Sequence, residues 1–141
     1  MAADTPAGVL DRRRDLILSG DADGFADLFA PDAVIEAPFG GLPGMPVRLE
    51  GREAVRAYAR QVLTSPLRLD NYDVVELHQT QDPEVVVAEM RAEATVTTTG
   101  RSFAATSIHV LRIRDGRIAH VREYSDPRGL DDVLGDPHAG G

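Results

Sequence analysis

The sequence contains no cysteine, which excludes disulfides, thiolate nucleophiles and thiolate metal sites and is compatible with a reducing compartment. No charged-then-apolar leader opens it, and no apolar run approaches the ~18 residues of a membrane span. A cytoplasmic protein without a membrane partner is therefore expected. Positive charge is also scarce: Lys and Arg number 15 against 23 Asp and Glu, a net charge of −8. That balance repels phosphate backbones, so no nucleic-acid partner is expected. The basic residues, all of them arginine, alternate with acids rather than cluster. There is no internal repeat, low-complexity tract, glycine-rich phosphate loop, nucleophile elbow or dinucleotide fingerprint. His78, His109, His120 and His138 lack metal-ligand spacing and are assigned to the surface or a dimer interface. No cofactor and no metal are expected, which leaves cofactor-free acid–base chemistry.

What is present is one domain's worth of ordinary globular sequence: 141 residues, 43% hydrophobic and 27% charged, enough to bury a real core. Residues 1–127 carry the periodic segments. Residues 128–141, rich in Gly, Pro and Asp, form a C-terminal tail whose end is expected to be mobile.

Taken in order, a first helix spans about Thr5 to Ser19, with Thr5 or Asp4 as cap, Pro6 in the first turn and Gly20 as stop. Arg13 falls near the centre of its apolar cluster. Its guanidinium either snorkels past the core to water or faces an internal cavity. A short helix, Phe25 to Phe29, and a short strand, Ala33 to Ala37, follow. The loop from Phe39 to Glu50 suits a lid or rim. A helix from about Arg52 to Leu63 has Val55, Tyr58, Ala59, Val62 and Leu63 on its apolar side. Strands are then predicted over Arg68 to His78 and Glu84 to Thr98. In the second, Val86, Ala88, Met90, Ala92, Ala94 and Val96 share one face. Small side chains there leave room for a pocket, or admit a close-packed helix.

Arg101 to Pro127 organises the rest. Two β-branched runs flank Asp115-Gly116, the dipeptide of a tight hairpin in which both turn residues take φ > 0. Closing the turn with Arg114 and Arg117 sets Val110 opposite Val121 and Ile108 opposite Glu123. One face then carries Thr106, Ile108, Val110, Val121, Glu123 and Ser125; the other carries His109, Leu111, Ile113 and Ile118. A lone carboxylate among small apolar neighbours results. Helices, then long antiparallel strands, predict an α+β domain with helices packed on one face of a curved sheet. Val74, Leu77, Val85, Val87, Leu111, Ile113 and Ile118 cannot all reach that face by strict alternation. A homodimer through the outer face is therefore expected.

GDADGFADLFAPDAVIEAPFG, GREAVRAYA, QTQDPEVVVAEM, TGRSF and IHVLRIRDGRIAHVREYSDP, in this order, resemble the nuclear-transport-factor-2-like superfamily. It includes ketosteroid isomerases, SnoaL-like polyketide cyclases and phenazine-biosynthesis A/B proteins. The resemblance covers roughly Leu10 to Pro127 and implies a cone-shaped pocket fold, usually dimeric, that hosts unrelated chemistries. The isomerase base position falls on Ala37, its oxyanion tyrosine on Arg13 and its protonated aspartate on Ile108, so steroid isomerisation is not implied. The phenazine proteins fit better. Their acid glutamate, in an R-E-[F/Y] segment, falls on Glu123, and their pocket histidine on Tyr58.

Glu123 is accordingly the candidate general acid or base, with Tyr58 and Arg13 as polar partners for substrate oxygens. Met90, Ala92, Ala94, Thr106, Ile108, Val110, Val121, Ser125 and Val62 are the expected pocket residues. Glu36 is expected on the opposite strand face from Ala37, outside the pocket. Two functions remain open. One is a small biosynthetic enzyme working by cyclisation, isomerisation, dehydration or epoxide opening on an apolar, oxygenated metabolite. The other is a non-catalytic carrier of such a molecule.

Overall fold

The structure is a computed structural model and describes residues 5–40 and 47–125. Helix α1 (Pro6–Leu18) starts where Thr5 Oγ1 accepts a hydrogen bond from the Gly8 amide at 3.1 Å, satisfying an otherwise orphaned donor. Helix α2 (Ala22–Asp27) begins earlier than expected because Asp21 caps it, accepting from the Gly24 amide at 2.8 Å. Strand β1 (Phe29–Glu36) consequently starts before Ala33. Pro31, which has no N–H to give a ladder, falls in the register break between Phe29 and Val34. Strand β2 (Arg48–Glu50) lies inside what the sequence presents as a loop. The rest of that lid, residues 41–46, and the tail from 126 onward lie outside the described residues. Helix α3 (Arg52–Leu63) leads into β3 (Leu67–Gln79), β4 (Val85–Val96), β5 (Arg101–Arg114) and β6 (Arg117–Ser125).

The six strands form one sheet in the order β2-β1-β6-β5-β4-β3, antiparallel except where β1 runs parallel to β6. The helices cover one face. Val9, Leu10, Phe29, Val55, Val86, Leu111, Ile118 and Val121 are buried in a common core between helices and sheet. Each such side chain contributes roughly 1.5–3 kcal/mol by leaving water. Among the described residues, no helix is long and apolar enough to cross a membrane.

Three irregularities in the ladders decide which residues face inward. In β3, Asp70 and Val75 are each an extra residue against β4, since Leu69 pairs with Ala94 and Asn71 with Glu93, then Val74 with Met90 and Glu76 with Glu89. Each bulge resets the alternation. Tyr72, Val74 and Leu77 thereby pack against the core while Val75 is left 65% exposed. In the hairpin, Asp115 and Gly116 take φ of 54° and 74°, as the dipeptide predicts. Ile113 pairs with Ile118, also as predicted, but Arg112 then pairs with His120 rather than Ala119. Ala119 is the extra residue of a bulge, and every partner beyond it is displaced by one.

That single residue reverses the expected face of β5, because a one-residue slip exchanges the two sides of a strand. Thr106, Ile108 and Val110 lie on the outer face, with Ile108 46% exposed. The inner face carries Phe103, Ala105, Ser107, His109 and Leu111 instead. The premise that apolar residues must lie on both faces changes too. Val74, Leu77, Leu111, Ile113 and Ile118 all reach the helix-covered side, leaving Val85 and Val87 outside.

Candidate functional site: a cavity between the helices and the sheet

A cavity of about 200 Å³ opens between α1, α2, α3 and the concave face of the sheet. Ile17, Phe25, Tyr58, Ala59 and Val62 form its helical side; Ala92, Ala94 and Ala105 form part of its floor. The alanines of β4 and β5 stop short of the helices, and the space they leave is the cavity. Its walls are apolar apart from a polar group at one end: Ser107, His109, Glu123 and Ser125 from the floor, with Tyr58 and Tyr72 beside them.

The ladder sets Glu123 directly across from His109, and Ser125 across from Ser107, so four polar side chains occupy two successive rungs of the inner face, with the Ile108–Tyr124 pair between them pointing outward. Glu123 is only partly accessible, facing the cavity, and makes no hydrogen bond or ion pair with a described residue. Burial raises its pKa above the ordinary value of 4.5, against an opposing pull from the Arg13 guanidinium. Tyr58 comes from α3. Its hydroxyl is buried without a partner among the described residues, and burial, reinforced by the nearby Glu123, pushes its pKa to about 12. Tyr72 is likewise pushed to about 12 by burial. Both phenols are donors throughout the physiological range.

Arg13 is 2% exposed and lies behind the cavity wall rather than on it. Its Nη1 lies 3.2 Å from His109 Nδ1, its Nη2 donates to Met90 Sδ at 3.5 Å, and its guanidinium sits 5.1 Å from the centre of the Tyr72 ring. Met90 thus contacts Arg13 instead of lining the cavity. A buried guanidinium is costly unless its field is answered. Here a ring nitrogen, a sulfur and an aromatic face answer it, and no carboxylate of the described residues hydrogen-bonds to it. His109 is 3% exposed. Burial, and then the adjacent Arg13 charge, hold its pKa well below the usual histidine value. It is a neutral imidazole inside the molecule, not the surface or interface histidine that its sequence context suggests.

Of the other expected pocket residues, Ala92, Ala94, Ser125 and Val62 line the cavity, and Val121 is buried in the core on the same side. Ala37 is 1% exposed. Glu36 faces away, ion-paired with Arg48 and 3.5 Å from His120. Ser107, His109 and Tyr72 were not among the expected site residues. A usable signal existed: Leu111 and Ile113 share their parity with His109 and Ser107, and a strand buries its more apolar parity. On the outer sheet face, Glu76, His78 and Glu89 bring three potential ligand atoms within 4.8 Å of one another, with His78 Nε2 2.5 Å from Glu89. The sequence spacing of the histidines does not reveal this, because Glu89 arrives from the neighbouring strand.

Residues 11–121 match the model of the SnoaL-like domain family. The chain is 36% identical over 120 residues to an uncharacterized PhzA/B-like protein of Pseudomonas aeruginosa, covering 85% of this chain and 83% of that one. A crystal structure of a Bacillus subtilis protein, provisionally named an isomerase, superposes with a TM-score of 0.83 at 26% identity, covering 92% of this chain and 91% of that one. A Pseudomonas putida protein, provisionally named a polyketide cyclase, has a TM-score of 0.75 over 92% of this chain and 97% of its own, and at 16% identity it shows the fold alone. The overall fold is thus shared, and the chain belongs to the SnoaL-like domain family of the nuclear-transport-factor-2-like fold.

Proposed function

We propose that this protein is a small cofactor-independent enzyme that uses Glu123 as a general acid on an apolar, oxygenated metabolite. One observation carries the reading: a carboxyl group faces an apolar cavity without a hydrogen-bonding partner among the described residues, so burial favours its protonated form. A protonated carboxyl beside a carbonyl, alkene or epoxide is a proton donor. The unpartnered Tyr58 hydroxyl supplies a second donor for a substrate oxygen. Cyclisation, isomerisation, dehydration and epoxide opening are all reachable with this pair. The names of related structures, isomerase and polyketide cyclase, fall within this range.

The test is a panel of apolar ketones, enones and epoxides, followed by mass spectrometry, with Glu123→Gln as the control. The substitution keeps shape and hydrogen bonding but removes the transferable proton. Turnover is expected to fall by roughly 10²–10⁴, and native activity to decline as pH rises through the raised Glu123 pKa. Normal turnover by the Gln variant would exclude Glu123 as the acid.

The second reading is a carrier without turnover. The observation in its favour is Ala37, a buried alanine at the position where isomerases of this fold hold their base. Tight ligand binding by the native protein with no product would select it.

The same proposal includes a homodimer through the outer sheet face. Val75 and Ile108 are exposed there at 65% and 46%, and Phe39, 71% exposed, stacks on Tyr124 at 5.8 Å. Glu89, Arg91 and Glu93 give the face both signs of charge.

A further inference from the structure

The direction of each hydrogen bond behind the cavity wall can be deduced from Arg13. A guanidinium has five N–H donors and no acceptor, and it stays protonated. His109 Nδ1, 3.2 Å from Arg13 Nη1, must therefore present its lone pair. A protonated Nδ1 would set one donor against another. Neutral imidazole without a proton on Nδ1 carries it on Nε2. Nε2 is 3.2 Å from Ser107 Oγ, so Nε2–H donates and the serine oxygen accepts. The serine's own hydrogen cannot point back to His109. No other described residue takes it, since the His109 contact is the hydrogen bond that the Ser107 side chain makes. Ser107 lines the cavity, one inner-face rung from Glu123.

We propose that Ser107 is a ligand-positioning residue: its hydroxyl hydrogen, aimed by Arg13 through His109, holds an acceptor oxygen, so the ligand carries a carbonyl at the sheet end of the cavity beside Glu123. The inference rests on the cavity being the site of an oxygenated ligand, and it holds whether or not Glu123 transfers a proton. Two protein donors then face one end of an otherwise apolar space beside Glu123: the Ser107 hydroxyl and the Tyr58 hydroxyl. A carbonyl oxygen with two lone pairs matches this set. A ligand offering only donors there would leave Ser107 and Tyr58 unanswered, which is the kind of mismatch that binding sites reject most strongly.

The probes are acetonaphthone and ethylnaphthalene, close in shape and differing by the carbonyl oxygen, titrated by NMR into the native protein, Ser107→Ala and Ser107→Thr. The native protein is expected to favour the ketone by about tenfold, the worth of one hydrogen bond. Ser107→Ala should reduce that preference by weakening the ketone alone, leaving the share that Tyr58 supplies, and Ser107→Thr, which keeps the hydroxyl, should retain more of it. Nitrogen-15 spectra of His109 at neutral pH should show a proton on Nε2 and none on Nδ1. No ketone preference in the native protein, including no binding, overturns the proposal. So does a preference undiminished by Ser107→Ala, or a His109 protonated at Nδ1. The acid assignment fails separately: normal turnover by Glu123→Gln would remove it and leave the Ser107-dependent ketone preference standing.

Discussion

Glu123 faces His109 across the β5–β6 ladder, and burial moves the two in opposite directions toward the same neutral state. Removing either from water disfavours its charged form, which raises a carboxylic acid and lowers an imidazolium. Arg13 opposes the first shift and adds to the second. The pair is a carboxylic acid beside a neutral imidazole over the range between the lowered His109 pKa and the raised Glu123 pKa. It is not an ion pair. Arg13 and His109 are the buried polar side chains of the described residues, so the buried charge under the cavity is a cation held by neutral partners.

Stability should depend on pH through Glu123 with a definite sign. Its folded pKa lies above the ordinary value of 4.5, so its favourable contribution is complete below 4.5 and is lost as pH rises through the raised pKa. Glu123→Gln cannot ionise. Its melting temperature is expected to exceed that of the native protein at pH 7, with the gap closing toward pH 4. A gap independent of pH would mean that Glu123 ionises as freely folded as unfolded.

Replacing Arg13 by Leu exchanges a buried ion for an apolar side chain, a change that proteins often tolerate. The positive field then vanishes from both neighbours. Titration midpoints of Glu123 and His109 should each move upward, Glu123 because a downward pull is gone and His109 because a repulsion is gone. Carbon- and nitrogen-detected NMR titrations read both. Midpoints unchanged from the native protein would contradict the electrostatic role assigned to Arg13.

Tyr58→Phe removes a buried hydroxyl that has no partner among the described residues. The unliganded variant should be as stable as the native protein or slightly more so, because no hydrogen bond is broken. Affinity for a ketone probe should drop by about 0.5–1.5 kcal/mol, with ethylnaphthalene unaffected. A destabilised variant would show that the hydroxyl is satisfied in solution.

Ile108→Glu tests the outer face without touching the cavity, since Ile108 points away from it. Sedimentation is expected to show a dimer of the 15.2 kDa chain for the native protein and a monomer for the variant, with the ketone preference retained. A native protein that sediments as a monomer at micromolar concentration and above would remove the dimer.

Local sequence determined the elements. Thr5 and Asp21 cap helices through their own side chains, Asp115-Gly116 closes a tight hairpin because both residues accept positive φ, and strict alternation from Val86 to Val96 fixes the buried face of β4. The α+β architecture follows from burying those faces against one another. Glu123 and Tyr58 were also legible as candidates, since β6 beyond the bulge and α3 keep the expected parity. What only the tertiary structure decided is the wall that they face. The curvature of the sheet is absorbed by bulges at Asp70, Val75 and Ala119, and an extra residue leaves no clear mark in a sequence of alternating side chains. The bulge at Ala119 placed His109 and Ser107 inside and Ile108 outside. Arg13 and His109 are 96 residues apart. Nothing local states that a helix would carry a guanidinium to an imidazole, because that contact exists only once the sheet has curved beneath the helix.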